Sequence, residues 1–286
     1  RIEYVNPRFT DMTGFTIEEV LGQNPRVLKS GARSAEEYRE LWQTIASGRE
    51  WRGEFHNRRK NGDLYWDYSI IAPILNERGE IAHFVAMKED ITSRKDSEQL
   101  QAVVLSLSAR LAGCPTEDDI CRAVVEGIRG QMGVDRVGLF LGDPSHPPFR
   151  GTYGTDMHGQ TCDEHNHVWD IGRERDVADL FEGAAFKTGL PLGNPDAQPG
   201  EEDLSTTLIA LRQSGMIFGV ISIDNRISRR PITRAQMVHI ALLAEVLGNT
   251  LQVARAREAL RASVEEVRRA NEELEAFNKA MVGRES

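Results

Sequence analysis

Val246, Val253, Leu260, Val267, Leu274 and Met281 stand seven residues apart, and no other feature constrains the chain as much. An isolated α-helix drifts by roughly 20° per heptad, so a strict seven-residue apolar row keeps one bearing only when the helix supercoils around a partner. The row predicts a long C-terminal helix, with residues 253–286 pairing with a second copy along a seam of Val253, Leu260, Val267, Leu274 and Met281. Three positions after the seam residues come Asn249, Ala256, Ser263, Ala270 and Phe277, a second row that is small and partly polar, so the seam is expected to be weak. Acidic residues such as Glu265 and Glu272 are interspersed with Arg261, Arg268 and Arg269, the pattern of a solvated helix face.

The rest of the chain must supply the cores. A length of 286 residues points to about two compact units. Nowhere do eighteen consecutive apolar residues occur, so no membrane span is expected. Net charge is −9 with no long basic block, which argues against nucleic acid as a partner. Cys114, Cys121 and Cys162 are odd in number and far apart, as in a reducing, cytoplasmic setting. The chain starts Arg1-Ile2-Glu3-Tyr4 without Met or a secretion signal, which suggests the middle of a larger protein.

Local signals divide the N-terminal part. A short strand is expected over Ile2–Val5 and a helix from Pro7 to Gly14. Thr16–Glu19 and Ser34–Glu37 have capping-box spacing, and Tyr38, Leu41, Trp42 and Ile45 form one apolar helix face. Residues 51–59 and 64–75 flank Asn61-Gly62 as a hairpin, and Ile81–Met87 adds a third antiparallel strand. A helix carrying Leu100, Val103, Val104, Leu107 and Leu111 ends at Gly113. Another restarts over Cys114-Pro115-Thr116-Glu117-Asp118, buries Ile120, Val124 and Ile128, and stops at Gly133. Beyond it a strand is expected at Val134–Leu141, a turn at Gly142–Phe149, a strand at Arg150–Thr155 and a helix at Ala178–Thr188. A loop over Pro191–Asp203 then leads to a hairpin of Leu204–Arg212 and Met216–Ile223 around Gln213-Ser214-Gly215.

Tyr4-Val5-Asn6-Pro7-x-Phe9, Thr13-Gly14-Phe15, Glu18-Glu19-Val20-Leu21-Gly22, the hairpin from Arg58 to Trp66 and the exit Glu89-Asp90-Ile91-Thr92 resemble a PAS domain over residues 1–95. The family's strand before Tyr4 is missing here, which leaves a sheet edge to be completed. Gly133-Val134-Asp135-Arg136-Val137-Gly138, Gly151-Thr152-Tyr153-Gly154-Thr155-Asp156, and Gly219 to Asn225 followed by Pro231-Ile232-Thr233 resemble a GAF domain. The implied fold class is α+β: two sensory domains with central antiparallel sheets, joined by a helical linker and ending in a coiled-coil helix. The divisions are 1–95 (PAS), 96–113 (connector helix), 114–252 (GAF, its first helix overlapping the connector) and 253–286 (coiled coil). That order resembles the input region of bacterial sensor histidine kinases. It implies a cytoplasmic homodimer that relays a conformational change to a downstream effector. The alternatives are a ligand-free dimerisation scaffold, or a haem or flavin sensor of redox state or light.

For the PAS part the resemblance implies a pocket at Phe15, Leu28, Phe55, Asn57, Asp67 and Ile70. Pro25 occupies the position of the flavin-reactive cysteine, which excludes a cysteinyl adduct; of the two flavin-facing amide positions only Asn57 is an amide, and Lys88 replaces a glutamine. Haem would need an axial ligand such as His56 or His83. The exit motif implies that Asp90 and Thr92 relay the signal as a hinge. The cofactor is thus left unknown. In the second part, Cys162, His165 and His167, with His158 and Asp163 nearby, are the candidate metal ligands, but no second Cys/His pair stands at structural-site spacing, so no metal is expected. Phosphate-cradling loops, nucleophile elbows and His-Glu-x-x-His are lacking, and His239-Ile240-Ala241 has no acidic residue after the histidine, so the segment is expected not to be an enzyme.

Overall fold

The computed structural model describes residues 1–143, 146–170, 178–190, 206–213 and 215–282, with side chains through residue 276 except those of residues 143, 146, 147, 178, 189 and 190. It divides into two compact units, Arg1–Gln99 and Leu100–Ser286. Both are α+β with antiparallel sheets.

In the first unit, α1 (Pro7–Thr13) begins where the Asn6 side chain accepts from the Phe9 amide, and Gly14 ends it in the left-handed region at φ 76°. The capping boxes form at Thr16–Glu19, opening α2 (Ile17–Val20), and at Ser34–Glu37, opening α3 (Ala35–Ala46). A 3₁₀ turn, Pro25–Leu28, lies between them. The sheet runs β1 (Trp51–Arg58), β2 (Leu64–Leu75), β3 (Ile81–Asp90) in that order. Its register pairs Asn57 with Tyr65 and Ser69 with Lys88.

Three expectations for this unit change. Ile2–Val5 is not a strand: Ile2 exchanges two backbone hydrogen bonds with Gly22 and Gln23 (2.8 and 2.9 Å), and the ladder goes no further. β3 continues three residues past Met87, because Lys88, Glu89 and Asp90 pair with Ser69, Tyr68 and Asp67. Trp42 is 57% exposed and stands edge-on to Phe84 at 6.2 Å, so only Leu41 and Ile45 of its helix face are buried.

In the second unit the sheet order is β6 (Thr161–Asp163), β5 (His146–Thr155), β4 (Arg136–Asp143), β10 (Met216–Asp224), β9 (Thr206–Gln213), β8 (Phe186–Leu190), with β7 (Val168–Trp169) also on β5. Successive strand residues face opposite sides. Val137, Leu139 and Leu141 of β4 meet the helices, joined by Ile209, Leu211, Ile221 and Ile223. Those helices are α4 (Thr92–Ala112), through Val104, Leu107 and Leu111; α5 (Glu117–Gln131); and α7 (Arg234–Val282), through Ile240, Leu243, Leu247 and Leu251. Gly127 lets α4 and α5 approach, since a Cβ there would overlap the Leu107 methyls. On the opposite side Phe140, Phe149, Leu180, Leu208, Ile217 and Val220 form a smaller core.

Helix α7 is long and apolar enough to cross a membrane by length and composition alone, which a count of consecutive apolar residues does not reveal. One face of its N-terminal part, Ile240, Leu243, Ala244, Leu247 and Leu251, is packed in the core, whereas Val238 and Leu242 are exposed.

The expected turn at Gly142–Phe149 is strand for most of its length. β4 reaches Asp143 and β5 starts at His146, with Pro147 and Pro148 just outside the Phe149–Trp169 pair, where proline does not interrupt that ladder. The expected helix at Ala178–Thr188 stops at Phe181 as α6 (Ala178–Phe181); Gly183 turns the chain at φ 122°, and β8 then pairs with β9. The strand expected from Val134 starts at Arg136, and the one ending at Ile223 takes in Asp224, because those two residues pair. The Pro191–Asp203 loop, Leu204, Ser205 and Ser214 lie outside the described residues.

Candidate functional site

Within the first unit, odd-numbered residues of β1 and β2 face inward, placing Phe55, Asn57, Tyr65, Asp67 and Ser69 on one side. Asp67 is fully buried. Its Oδ2 accepts from Asn57 Nδ2 at 2.7 Å, and its Oδ1 accepts from Ser69 Oγ at 2.5 Å and Lys88 Nζ at 2.8 Å. Lys88 also donates to Ser69 Oγ at 2.9 Å and lies 4.9 Å from the Phe55 ring centroid. Arg33 covers the other aromatic faces, 4.5 Å from Phe55 and 4.8 Å from Trp51. Both Asp67 oxygens are engaged, and the buried ion pair is tied to two further hydrogen-bonding side chains.

Of the six expected pocket residues, Asn57 and Asp67 bond directly, Phe55 lies beneath Lys88, and Leu28 is buried in the 3₁₀ turn. Phe15 is half-buried between α1 and α2. Ile70 is corrected: its even number on β2 turns it to the sheet face opposite Asp67. His56 stacks on Trp66 at 4.5 Å on that outer face, and His83 meets Glu3 at 3.0 Å at the surface, so neither points at the Asp67 network. In the sequence Lys88 stands out only as a replaced glutamine; a cation two strand-widths from Asn57, on the inward parity of β3, is the available signal.

The exit from the sheet is a compact lock. Asp90 Oδ1 accepts from the Thr92 amide at 2.9 Å and hydroxyl at 2.6 Å, which caps the start of α4. Thr92 Oγ1 accepts from the Trp66 amide at 3.0 Å, and Asp90 Oδ2 pairs with Arg59 at 2.7 Å. Burial would raise the Asp90 carboxyl, but the Thr92 and Arg59 hydrogen bonds outweigh it and hold the group below the ordinary aspartate value.

The second unit has a cavity of about 330 Å³ on the sheet face away from the long helices. Arg136, Gly138 and Phe140 of β4, Ser222 and Asp224 of β10, and Glu164, His167 and Trp169 after β6 line it. Arg136 is bound to Asp224 through both Nε (2.9 Å) and Nη2, and Nη1 meets Met157 Sδ at 2.9 Å. Next to this pair, the Asp135 amide donates to Asn225 Oδ1 at 2.8 Å, so the Gly133–Gly138 and Gly219–Asn225 motifs close on each other. Trp169 and His167 stand edge-on to Phe140 at 5.0 and 5.9 Å. Glu164 is seated against two glycines: a Cβ at Gly154 would overlap its carboxylate, and one at Gly151 its backbone carbonyl. Burial pushes the Glu164 carboxyl above its ordinary value, offset in part by His167, Cys162 and Arg136.

The metal candidates diverge. Cys162 Sγ is 3.9 Å from Glu164, His165 pairs with Asp163 (2.7 Å) and Asp118 (3.4 Å) beside Tyr153, and His167 lies on Phe140. Among the described residues no group of three His, Cys, Asp or Glu is arranged around a common centre. His239 is engaged with the Ala235 carbonyl on α7 at 2.7 Å. Glu164 and Trp169, which the sequence reading passed over, line the cavity instead; the two glycines of Gly151-Thr152-Tyr153-Gly154 hinted at a close approach there.

Residues 1–93 match the family model for a PAS domain. The PAS domain is similar to the nitrogen fixation regulatory protein of Klebsiella oxytoca, 42% identical over 98 residues, which are 34% of this chain and 20% of that protein. Blue-light-activated histidine kinase 1 of Erythrobacter litoralis is 32% identical over 113 residues, 38% of this chain and 31% of that protein. The chain therefore spans about a fifth to a third of the length of these curated relatives. A GAF domain of a phosphoenolpyruvate-protein phosphotransferase from Coxiella burnetii superimposes with TM-score 0.46 and 16% identity, covering 57% of this chain and 98% of that one. The PAS domain accordingly includes the Asp67–Lys88 network and the Asp90–Thr92 exit, whereas the 330 Å³ cavity lies outside it.

Proposed function

We propose that this chain is the sensory and signal-transmitting segment of a larger cytoplasmic signalling protein, a two-component sensor histidine kinase. In this reading a PAS domain and a GAF module sit in series, the GAF cavity takes a small ligand, and the segment performs no catalysis of its own. The output is a change in helix packing passed to a downstream effector. One observation carries the reading. Helix α7 is continuous for 49 residues; Ile240, Leu243, Ala244, Leu247 and Leu251 lie in the core behind the cavity-bearing sheet, and the same helix then exposes Val253, Leu260, Val267 and Leu274. A helix anchored at one end against a ligand-bearing sheet, with a heptad stripe at the other, couples occupancy of the cavity to packing against a second copy. Met281 belongs to the same row, but its side chain lies outside the described residues.

Asp90 and Thr92 are assigned the matching role on the PAS side, as the fixed start of α4. The second reading, a dimerisation scaffold with a structural PAS domain, is favoured by the way Asn57, Asp67, Ser69 and Lys88 satisfy one another. The test of the dimer is molar mass by light scattering. Leu260→Asp and Leu274→Asp place a charge in the stripe and should each shift the protein from dimer towards monomer; unchanged mass in both refutes the coil.

A further inference from the structure

We infer that the second unit's cavity takes a small organic cation, an ammonium or guanidinium group on an apolar or aromatic body, with Glu164 as its counter-ion. This rests on reading that cavity as a ligand site. The wall carries three charged side chains, Arg136, Asp224 and Glu164, beside the His167 imidazole. Arg136 and Asp224 form a two-pronged ion pair with side chains only 21% and 6% exposed, and Arg226 approaches the same carboxylate at 4.0 Å. Glu164 is different. Among the described residues no lysine, arginine or histidine forms an ion pair with it, and the Cys162 thiol, a weak donor at 3.9 Å, is its one side-chain hydrogen-bond contact.

The backbone that carries the carboxylate is also tied down. The Glu164 amide donates to Thr152 O at 2.9 Å, its carbonyl accepts from the His167 amide at 2.7 Å, and Gly151 and Gly154 leave room for it where any larger residue would overlap. A half-buried carboxylate with no cationic partner among the described residues is costly, and a bound cation offsets that cost. Phe140 and Trp169 provide the rest of the site, because ring faces attract cations and pack against an apolar body. An anionic ligand would meet Glu164, and Arg136, the one arginine or lysine among the described lining residues, is already held by Asp224. The volume of about 330 Å³ suits a ligand of fragment size.

The test is titration calorimetry of the whole chain at neutral pH with three isosteres: benzylammonium, benzyl alcohol and benzoate. Benzylammonium should bind about tenfold or more tightly than benzyl alcohol, and Glu164→Gln should bring the two within about threefold of each other. Amide resonance shifts at Gly138, Gly154 and Glu164 would place the bound amine in the cavity. Preference for benzyl alcohol or benzoate, or a cation preference that survives Glu164→Gln, overturns the ligand class and leaves the cavity as a ligand site. Binding by none of the three overturns both.

Discussion

Replacing Lys88 by Met tests the PAS interior most sharply. The substitution keeps the length and apolar stem of the side chain while removing the cation that, among the described residues, pairs with Asp67, a carboxylate with no solvent exposure. At 2.8 Å the gross attraction is about 6 kcal/mol for an effective dielectric of about 20, but most of that is cancelled by desolvation of the two charges. The quantity that matters is the cost of leaving Asp67 buried and unpaired, about 3 kcal/mol at the low end of measured cases. Asn57 and Ser69 still donate to it, which favours that lower end. For a unit of this size such a loss lowers the melting temperature by roughly 12–24 °C. Tryptophan fluorescence follows it directly, because Trp42, Trp51 and Trp66 lie in the first unit and Trp169 alone in the second. Asp67→Asn combined with Lys88→Met removes both charges and should recover at least half the loss. A Lys88→Met protein within about 1 kcal/mol of the parent, or a double variant no more stable than the single one, refutes the network as described.

Two further outcomes follow from the structure. Asp90 titrates below its ordinary value in the folded protein, so its stabilisation is present above the unfolded aspartate value and is lost as pH falls through the depressed folded one. Asp90→Asn should therefore flatten the acid limb of urea-melt stability between about pH 5 and about pH 2; an acid limb identical to the parent's counts against the lock. Gly127→Ala raises helix propensity but drives a methyl into Leu107, so calorimetry should show a loss of about 1–3 kcal/mol. A gain in stability would mean that α4 and α5 pack less closely than they do here.

Much of this molecule was legible in the sequence because its signals are local. The capping boxes at Thr16–Glu19 and Ser34–Glu37 depend on hydrogen bonds between residues three apart, the Gly14 stop on one backbone angle, and the hairpin on Asn61-Gly62. Asp90 and Thr92 are two residues apart, and their hydrogen bond is made between near neighbours in the chain. The seven-residue row likewise needed no tertiary partner to be seen, and α7 exposes it as a stripe.

What the sequence could not settle was anything fixed by a distant partner or by strand parity. Ile70 reads like its buried neighbours, yet a period of two sets it across the sheet from Asp67. Strand β8 resembles a helix until β9 is there to pair with it, and Arg255, which reads as a charge on the coil surface, proves to clamp Glu117 on α5 at 2.6 and 2.7 Å. Lys88 meets Asp67 across 21 residues and Arg136 meets Asp224 across 88. The sequence alone established the heptad helix, the caps and the three-strand meander, since each is made by neighbours in the chain. Only the tertiary structure decided which charges cancel and which one, Glu164, is left facing a cavity, because a charge's partner is chosen by distance in space.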